Sequence, residues 1–145
     1  MAKKPAAKAK ITVGQFNALI KRDLILADEF GMRAEKIGAG SATLRIKFAQ
    51  NQVRPGGTIA GPVMMALADV TLYAVVLSLL GQAELAVTTS LNVNFLKKPR
   101  PIDLLCHGRI LKLGKRLAVG ECSLYSDGED DLVAHVTGTY SIPPR

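Results

Sequence analysis

The chain has no tryptophan, and aromatic residues make up only 5% of its 145 positions. Few flat side chains remain on which unpaired bases could stack, so single-stranded nucleic-acid binding has little to rest on. Only two cysteines occur, Cys106 and Cys122, with no CxxC spacing and no ligand cluster nearby. A disulfide scaffold is excluded, and the pair reads as reduced thiols of a cytoplasmic protein. Histidine is as scarce. His107 and His135 fall on expected strands, and no spacing suggests a metal site. Acids are missing from the first ten residues, where Lys3, Lys4, Lys8 and Lys10 stand. Setting those four lysines aside leaves Lys+Arg 15 against Asp+Glu 12, so a net charge of +7 becomes +3 for the body. A nucleic-acid reading of the charge therefore rests on the tail alone. No apolar stretch follows that basic start, so no secretory signal is expected there.

What is present is apolar. Hydrophobic residues make up 48% and charged residues 21%, a balance that folds. The length suits one domain. We expect a flexible basic tail over 1–10 and a single domain over 11–145. The spacing of Val13, Phe16, Leu19, Ile20, Leu24, Ala27 and Phe30 predicts one amphipathic helix from Thr12 to Phe30, closing before Gly31. Two short strands, Met32–Ile37 and Ala42–Phe48, flank Gly38-Ala39-Gly40. A glycine-rich loop follows over Asn51–Gly61.

Pro62–Leu80 is the longest apolar run. Proline suits a first helical turn, because its missing N–H would be unpaired there anyway, and Gly81 suits the end. The run has near-membrane length, but Asp69 lies in its middle. An acid at a bilayer centre costs roughly 3 kcal/mol, so a buried soluble helix is expected and no membrane contact. A helix apolar nearly all round must be covered on most sides. Four strands follow to cover it: Ala86–Leu96, Ile102–Leu113, Arg116–Ser126 and Leu132–Ile142. A tight turn at Leu113-Gly114-Lys115 would set Leu104 opposite Leu124, Cys106 opposite Cys122, Gly108 opposite Gly120 and Ile110 opposite Ala118. All of these lie on one small, apolar face. The expected class is α+β: a long central helix wrapped by a curved antiparallel sheet, with an N-terminal amphipathic helix.

Asp69 is the only charged residue between Arg54 and Glu84. A carboxylate in an apolar helix must be paired, reach water or take up a proton. It is either a structural hydrogen-bond partner or a general base or nucleophile in a cleft. Thr58–Pro62 enters the same helix, where free N–H groups and the positive end of the dipole could hold an oxyanion. Asp69 lies about 12 Å further along. Lys97, Lys98, Arg100, Lys112, Lys115 and Arg116 gather at strand ends and suit either phosphates or solvent.

Four segments together resemble the hotdog-fold acyl-CoA thioesterases of the PaaI type. They are Gly61 with Met65–Asp69, Ala86-Val87-Thr88-Thr89-Ser90-Leu91-Asn92-Val93-Asn94-Phe95-Leu96-Lys97-Lys98-Pro99, Leu113–Ala118, and Val133–Tyr140. The match runs in order over about residues 32–142. The resemblance implies acyl-CoA held at a subunit interface of a homodimer or homotetramer. It implies a helix carboxylate that activates water or attacks the thioester, carried here onto Asp69. It implies a backbone N–H that polarises the carbonyl, carried onto Gly61, and a strand hydroxyl that orients water or the carboxylate, carried onto Thr88. No metal and no cofactor are required; coenzyme A enters as part of the substrate.

Three positions depart from the family pattern. Ala60-Gly61-Pro62 stands where the family usually has His-Gly-Gly, and Arg54 stands where many relatives carry Asn. Asn51 is the nearby polar substitute, and Arg54 is expected to grip an acidic group. Substrate contacts are expected from Arg54, Asn51, Met65, Tyr73, Lys97, Lys98, Lys115 and Arg116, with a cavity lined by Met64, Met65, Leu72 and Tyr73. A non-catalytic acyl-CoA or lipid-ligand binder on the same fold is the alternative. Dehydratases of this fold generally rely on a histidine in or beside the central helix, and none lies between Met1 and Leu105.

Overall fold

A computed structural model describes residues 7–144. Six antiparallel strands form one sheet in the order β1-β2-β4-β5-β6-β3, and helix α3 (Gly61–Leu80) lies across its inner face. The strands are β1 (Met32–Gly38), β2 (Ser41–Ile46), β3 (Val87–Phe95), β4 (Leu104–Leu113), β5 (Leu117–Ser126) and β6 (Ala134–Ser141). This is the expected hotdog architecture. The sheet curls around the helix and covers most of it, which is how α3 can be apolar nearly all round. Its two buried hydroxyls are satisfied locally: Thr71 Oγ1 donates to the Leu67 carbonyl at 2.7 Å and Ser78 Oγ to the Val75 carbonyl at 2.6 Å. Gly81 ends it with φ +75°, a conformation that glycine adopts without Cβ strain.

The N-terminal helix is not one piece. Helix α1 (Val13–Asp23) opens on a capping box between Thr12 and Gln15, and the chain breaks at Leu24 before α2 (Ile25–Glu29). Both helices bury apolar residues on the same core, Phe16, Leu19 and Ile20 from α1 and Ala27 from α2. A periodicity count therefore runs through the change of axis unbroken. In the basic tail, Lys3 and Lys4 lie outside the described residues. Lys10 is tied down, its N–H donating to the Ser78 carbonyl at 2.8 Å.

The β4–β5 register differs from expectation by two residues. Cys106 faces Leu124 and Cys122 faces Gly108. The chain turns later, with the Gly114 N–H donating to the Leu117 carbonyl at 2.8 Å, and a bulge at Leu111 adds one residue. The shift is even, so the same small, apolar face still meets the helix, but the cysteines are diagonal and not opposite. Both are free and buried.

The small residues matter because α3 sits close to the sheet. A Cβ on Gly120 would lie 2.8 Å from Leu72 Cδ2 and 2.9 Å from the Arg109 carbonyl oxygen, and one on Gly138 would lie 2.5 Å from Leu72 Cδ1. Leu72 is thus pressed onto two glycines in the core and lines no cleft, contrary to expectation. Gly120→Ala is expected to cost about 2 kcal/mol, since a backbone oxygen cannot step aside. Thermal unfolding should show a melting temperature lowered by several degrees; an unchanged value would contradict this packing.

Candidate active site

Asp69 leaves α3 where β3 and β6 pair. Thr88 and Tyr140 are direct cross-strand partners, and a bulge between Thr88 and Ser90 returns Thr88 to the inner face. Without that extra residue the alternation through Leu91, Val93 and Phe95 would turn Thr88 outward. Thr88 Oγ1 donates to Asp69 Oδ1 at 2.6 Å. The Tyr140 hydroxyl reaches the same Oδ1 at 2.7 Å and the Asp69 carbonyl at 2.8 Å. Among the described residues nothing donates to Oδ2. Burial, then the charge of Asp69, push the Tyr140 phenol well above the ordinary tyrosine range, so it remains a donor at working pH.

A cleft of about 740 Å³ opens over this carboxylate. Leu19, Leu24 and Leu26 form one wall, with Ala66 and Val70 of α3 below and Ala86 and Val87 beyond. The break at Leu24 thus has a use: it brings α2 over the cleft. Tyr73 lines it and stacks on Tyr140, ring centroids 6.2 Å apart. Its hydroxyl donates to the Glu84 carbonyl at 2.9 Å, and burial, then Glu84 and Asp23, push the phenol up to about 12. Cys122 packs behind, its thiol 3.6 Å from the Ala68 carbonyl. A hydrogen bond with Cys106, burial and the nearby Asp69 charge hold this thiol protonated, which makes it a poor nucleophile.

Gly61 opens onto a different cleft, of about 430 Å³, shared with Arg54, Thr58, Met64, Phe95, Leu96, Lys97 and Lys98. Gly61 is the first residue of α3, after Ala60 as N-cap and before Pro62. Its N–H finds no acceptor among the described residues, as expected at a helix start. Phe95 covers it closely: a Cβ there would lie 3.3 Å from Phe95 Cζ.

Asp69, Thr88 and Tyr73 are therefore brought together, as are Gly61, Arg54, Lys97 and Lys98, but the two groups line separate clefts of one chain. Lys97 also pairs with Asp131 at 3.0 Å. Asn51 is exposed in a short 3-10 turn (Gln50–Gln52) and lines neither cleft; its neighbour Gln52 is the buried one. Met65 is exposed beside neither cleft, while Met64 lines the second. Lys115 and Arg116 stand exposed on the β4–β5 turn, away from both. His107 bonds Thr43 at 2.9 Å and His135 bonds Glu121 at 3.2 Å. His135 and then Arg109 hold the Glu121 carboxyl below its usual range. No group of three or more metal-ligating side chains occurs among the described residues.

Tyr140 is the site residue that sequence reasoning missed. Its signal was there: Ala134, Val136, Gly138 and Tyr140 alternate on one face, and a buried tyrosine hydroxyl needs a partner. The nearest unpaired polar group in the apolar helix is Asp69.

Comparison with known proteins agrees with this arrangement. One carboxylate-bearing helix wrapped by six strands is the hotdog arrangement. The sequence model of the thioesterase superfamily matches residues 56–133, and the chain belongs to that superfamily. A Saccharolobus solfataricus protein with a provisional esterase name is 32% identical over 133 residues, covering 91% of this chain and 86% of its own. A crystal structure from Silicibacter sp., provisionally named a thioesterase, superposes with TM-score 0.85 at 37% identity, covering 97% of each chain. The phenylacetic acid degradation protein PaaI of Thermus thermophilus shares the fold, with TM-score 0.72 at 21% identity, over 81% of this chain and 97% of its own. The chain is thus, in general terms, a hydrolase.

Proposed function

We propose that this protein is an acyl-CoA thioesterase, releasing a carboxylic acid and CoA, with Asp69 as general base or nucleophile. The observation that carries the reading is a carboxylate held through Oδ1 by two hydroxyls, with Oδ2 free at the floor of an apolar cleft. As a base, Oδ2 takes a proton from water, whose oxygen bonds to the thioester carbonyl carbon. The resulting oxyanion needs a donor, the C–S bond breaks, and the CoA sulfur leaves with the proton. As a nucleophile, Oδ2 bonds to the carbonyl carbon and displaces the CoA thiolate; water then opens the anhydride, giving the carboxylic acid and the restored Asp69 carboxylate, and its remaining proton goes to the CoA sulfur.

The oxyanion donor of this reading is the Gly61 N–H of a second copy. Strand β3 is an edge strand, with Val87 and Phe95 exposed along it and Leu96 exposed just beyond its end. An unpaired edge invites another strand. Antiparallel pairing of two β3 edges about Leu91 would bring Thr88 of one copy opposite Asn94 of the other. The Asp69 cleft of one chain would then adjoin the Gly61 cleft of the next, and the CoA phosphates would meet Arg54, Lys97 and Lys98. Lys115 and Arg116 could serve such a site only through assembly, as a homodimer or homotetramer. The protein acts in the cytoplasm and needs no metal or cofactor beyond the CoA of its substrate.

Incubation with a panel of acyl-CoAs of different chain length, and aromatic ones, should release free thiol from at least one. A second reading, a non-catalytic acyl-CoA binder, is favoured by one observation: Pro62 removes a first-turn N–H that could join that of Gly61. Tight acyl-CoA binding with no thiol release would establish that reading instead.

A further inference from the structure

We propose that Tyr140 is a positioning residue for Asp69: its hydroxyl, together with that of Thr88, ties down Oδ1 and leaves Oδ2 as the reacting oxygen. The inference rests on the reading of Asp69 as the reacting carboxylate and adds which of its atoms reacts and what holds it.

The geometry is specific. The Tyr140 hydroxyl has one proton and lies within hydrogen-bond reach of two acceptors on the same residue, Oδ1 at 2.7 Å and the main-chain carbonyl at 2.8 Å. A hydroxyl clipped to both the side chain and the backbone of Asp69 fixes the rotation of that side chain. Thr88 approaches the same oxygen from β3 at 2.6 Å. Two donors on one oxygen leave the other as the acceptor for substrate water or as the attacking atom.

Charge makes the hydroxyls necessary. The Asp69 cleft is lined by two further acids, Asp23 from α1 and Glu84 after α3, and by no lysine, arginine or histidine. From β5, Cys122 faces Asp69 as a neutral thiol, and from α3 Tyr73 stacks behind Tyr140. With no cation lining the cleft among the described residues, the two hydroxyls are what hold Oδ1 in place. Tyr140 is itself buried, so its ring is held by packing and its hydroxyl is delivered with little freedom.

The test is Tyr140→Phe, which keeps the ring and removes the hydroxyl. We expect kcat to fall about 10-fold with KM within about twofold, the effect of one hydrogen bond to a charged group. The loss should fall on kcat alone, because Tyr140→Phe leaves the cleft lining in place. A merely structural tyrosine would lower the melting temperature and leave kcat of the folded protein in place. A second measurement does not need turnover. Carbon-13 NMR at neutral pH, with the Tyr140 ζ carbon assigned through Tyr140→Phe, should show that resonance moving upfield in Asp69→Asn, because the hydroxyl then donates to a neutral oxygen. Unchanged kcat, or a Tyr140 ζ-carbon resonance indifferent to Asp69→Asn, overturns the proposal. If the parent chain turns over no acyl-CoA, the proposed activity fails, and the NMR comparison alone decides whether Tyr140 holds Asp69.

Discussion

Asp69→Asn is expected to lower kcat for acyl-CoA hydrolysis by about three orders of magnitude, the upper part of what a lost general base costs. The substitution isolates the chemistry. The amide oxygen can still accept from Thr88 and Tyr140, so the two bonds to Oδ1 survive in kind. What disappears is the free oxygen that can take a proton or attack carbon. The melting temperature should therefore stay within a few degrees of the parent. Asp69→Ala is a poorer probe: it strands both hydroxyls beside the cleft, and unsatisfied buried donors cost about 1–3 kcal/mol each. A steady-state assay of thiol release reads the result. If Asp69→Asn hydrolyses acyl-CoA as fast as the parent, Asp69 is a structural partner of Thr88 and Tyr140 and nothing more.

Much of this site was legible in the sequence, and the illegible part has definite causes. One carboxylate in a long apolar helix cannot be neutral to the fold, so Asp69 declared itself by cost alone. The even alternation along β4 and β5 showed which face meets the helix. Period two cannot show how far two strands are slid, because a slip of two residues leaves the pattern unchanged. That is why the cysteine pairing was misplaced while their common face was right. Bulges are similarly silent. The extra residue after Thr88 has no compositional mark, yet it alone turns Thr88 inward to Asp69. The helix break at Leu24 carries neither glycine nor proline, and apolar spacing runs through it. Contacts between separate clefts are further still from a one-dimensional reading. Gly61 and Asp69 share a helix, and only the sheet edge beside them suggests that they act in different sites.

That last point yields the most decisive expectation, because it turns on mixing two inactive chains. Gly61→Pro should remove the donor without removing the helix. Proline is tolerated in a first helical turn, and the preceding Ala60 already sits at φ −69° and ψ 144°, the extended region that a following proline demands. The ring atoms would press on Phe95, the far end of a side chain that can yield. Alone, chains with Gly61→Pro or Asp69→Asn should each be nearly inactive. If each site combines Asp69 of one copy with Gly61 of the other, a mixed dimer has one site with both groups intact and one with neither. Unfolding and refolding the two chains together at equal amounts makes about half the dimers mixed, so about a quarter of parent activity should return. A site built within one chain predicts no recovery at all, since every chain present lacks one of the two groups. Refolding each variant alone controls for the procedure, and sedimentation confirms that dimers formed. Recovery near zero with dimers present would assign both groups to the same chain. The Asp69 cleft would then need an oxyanion donor other than Gly61.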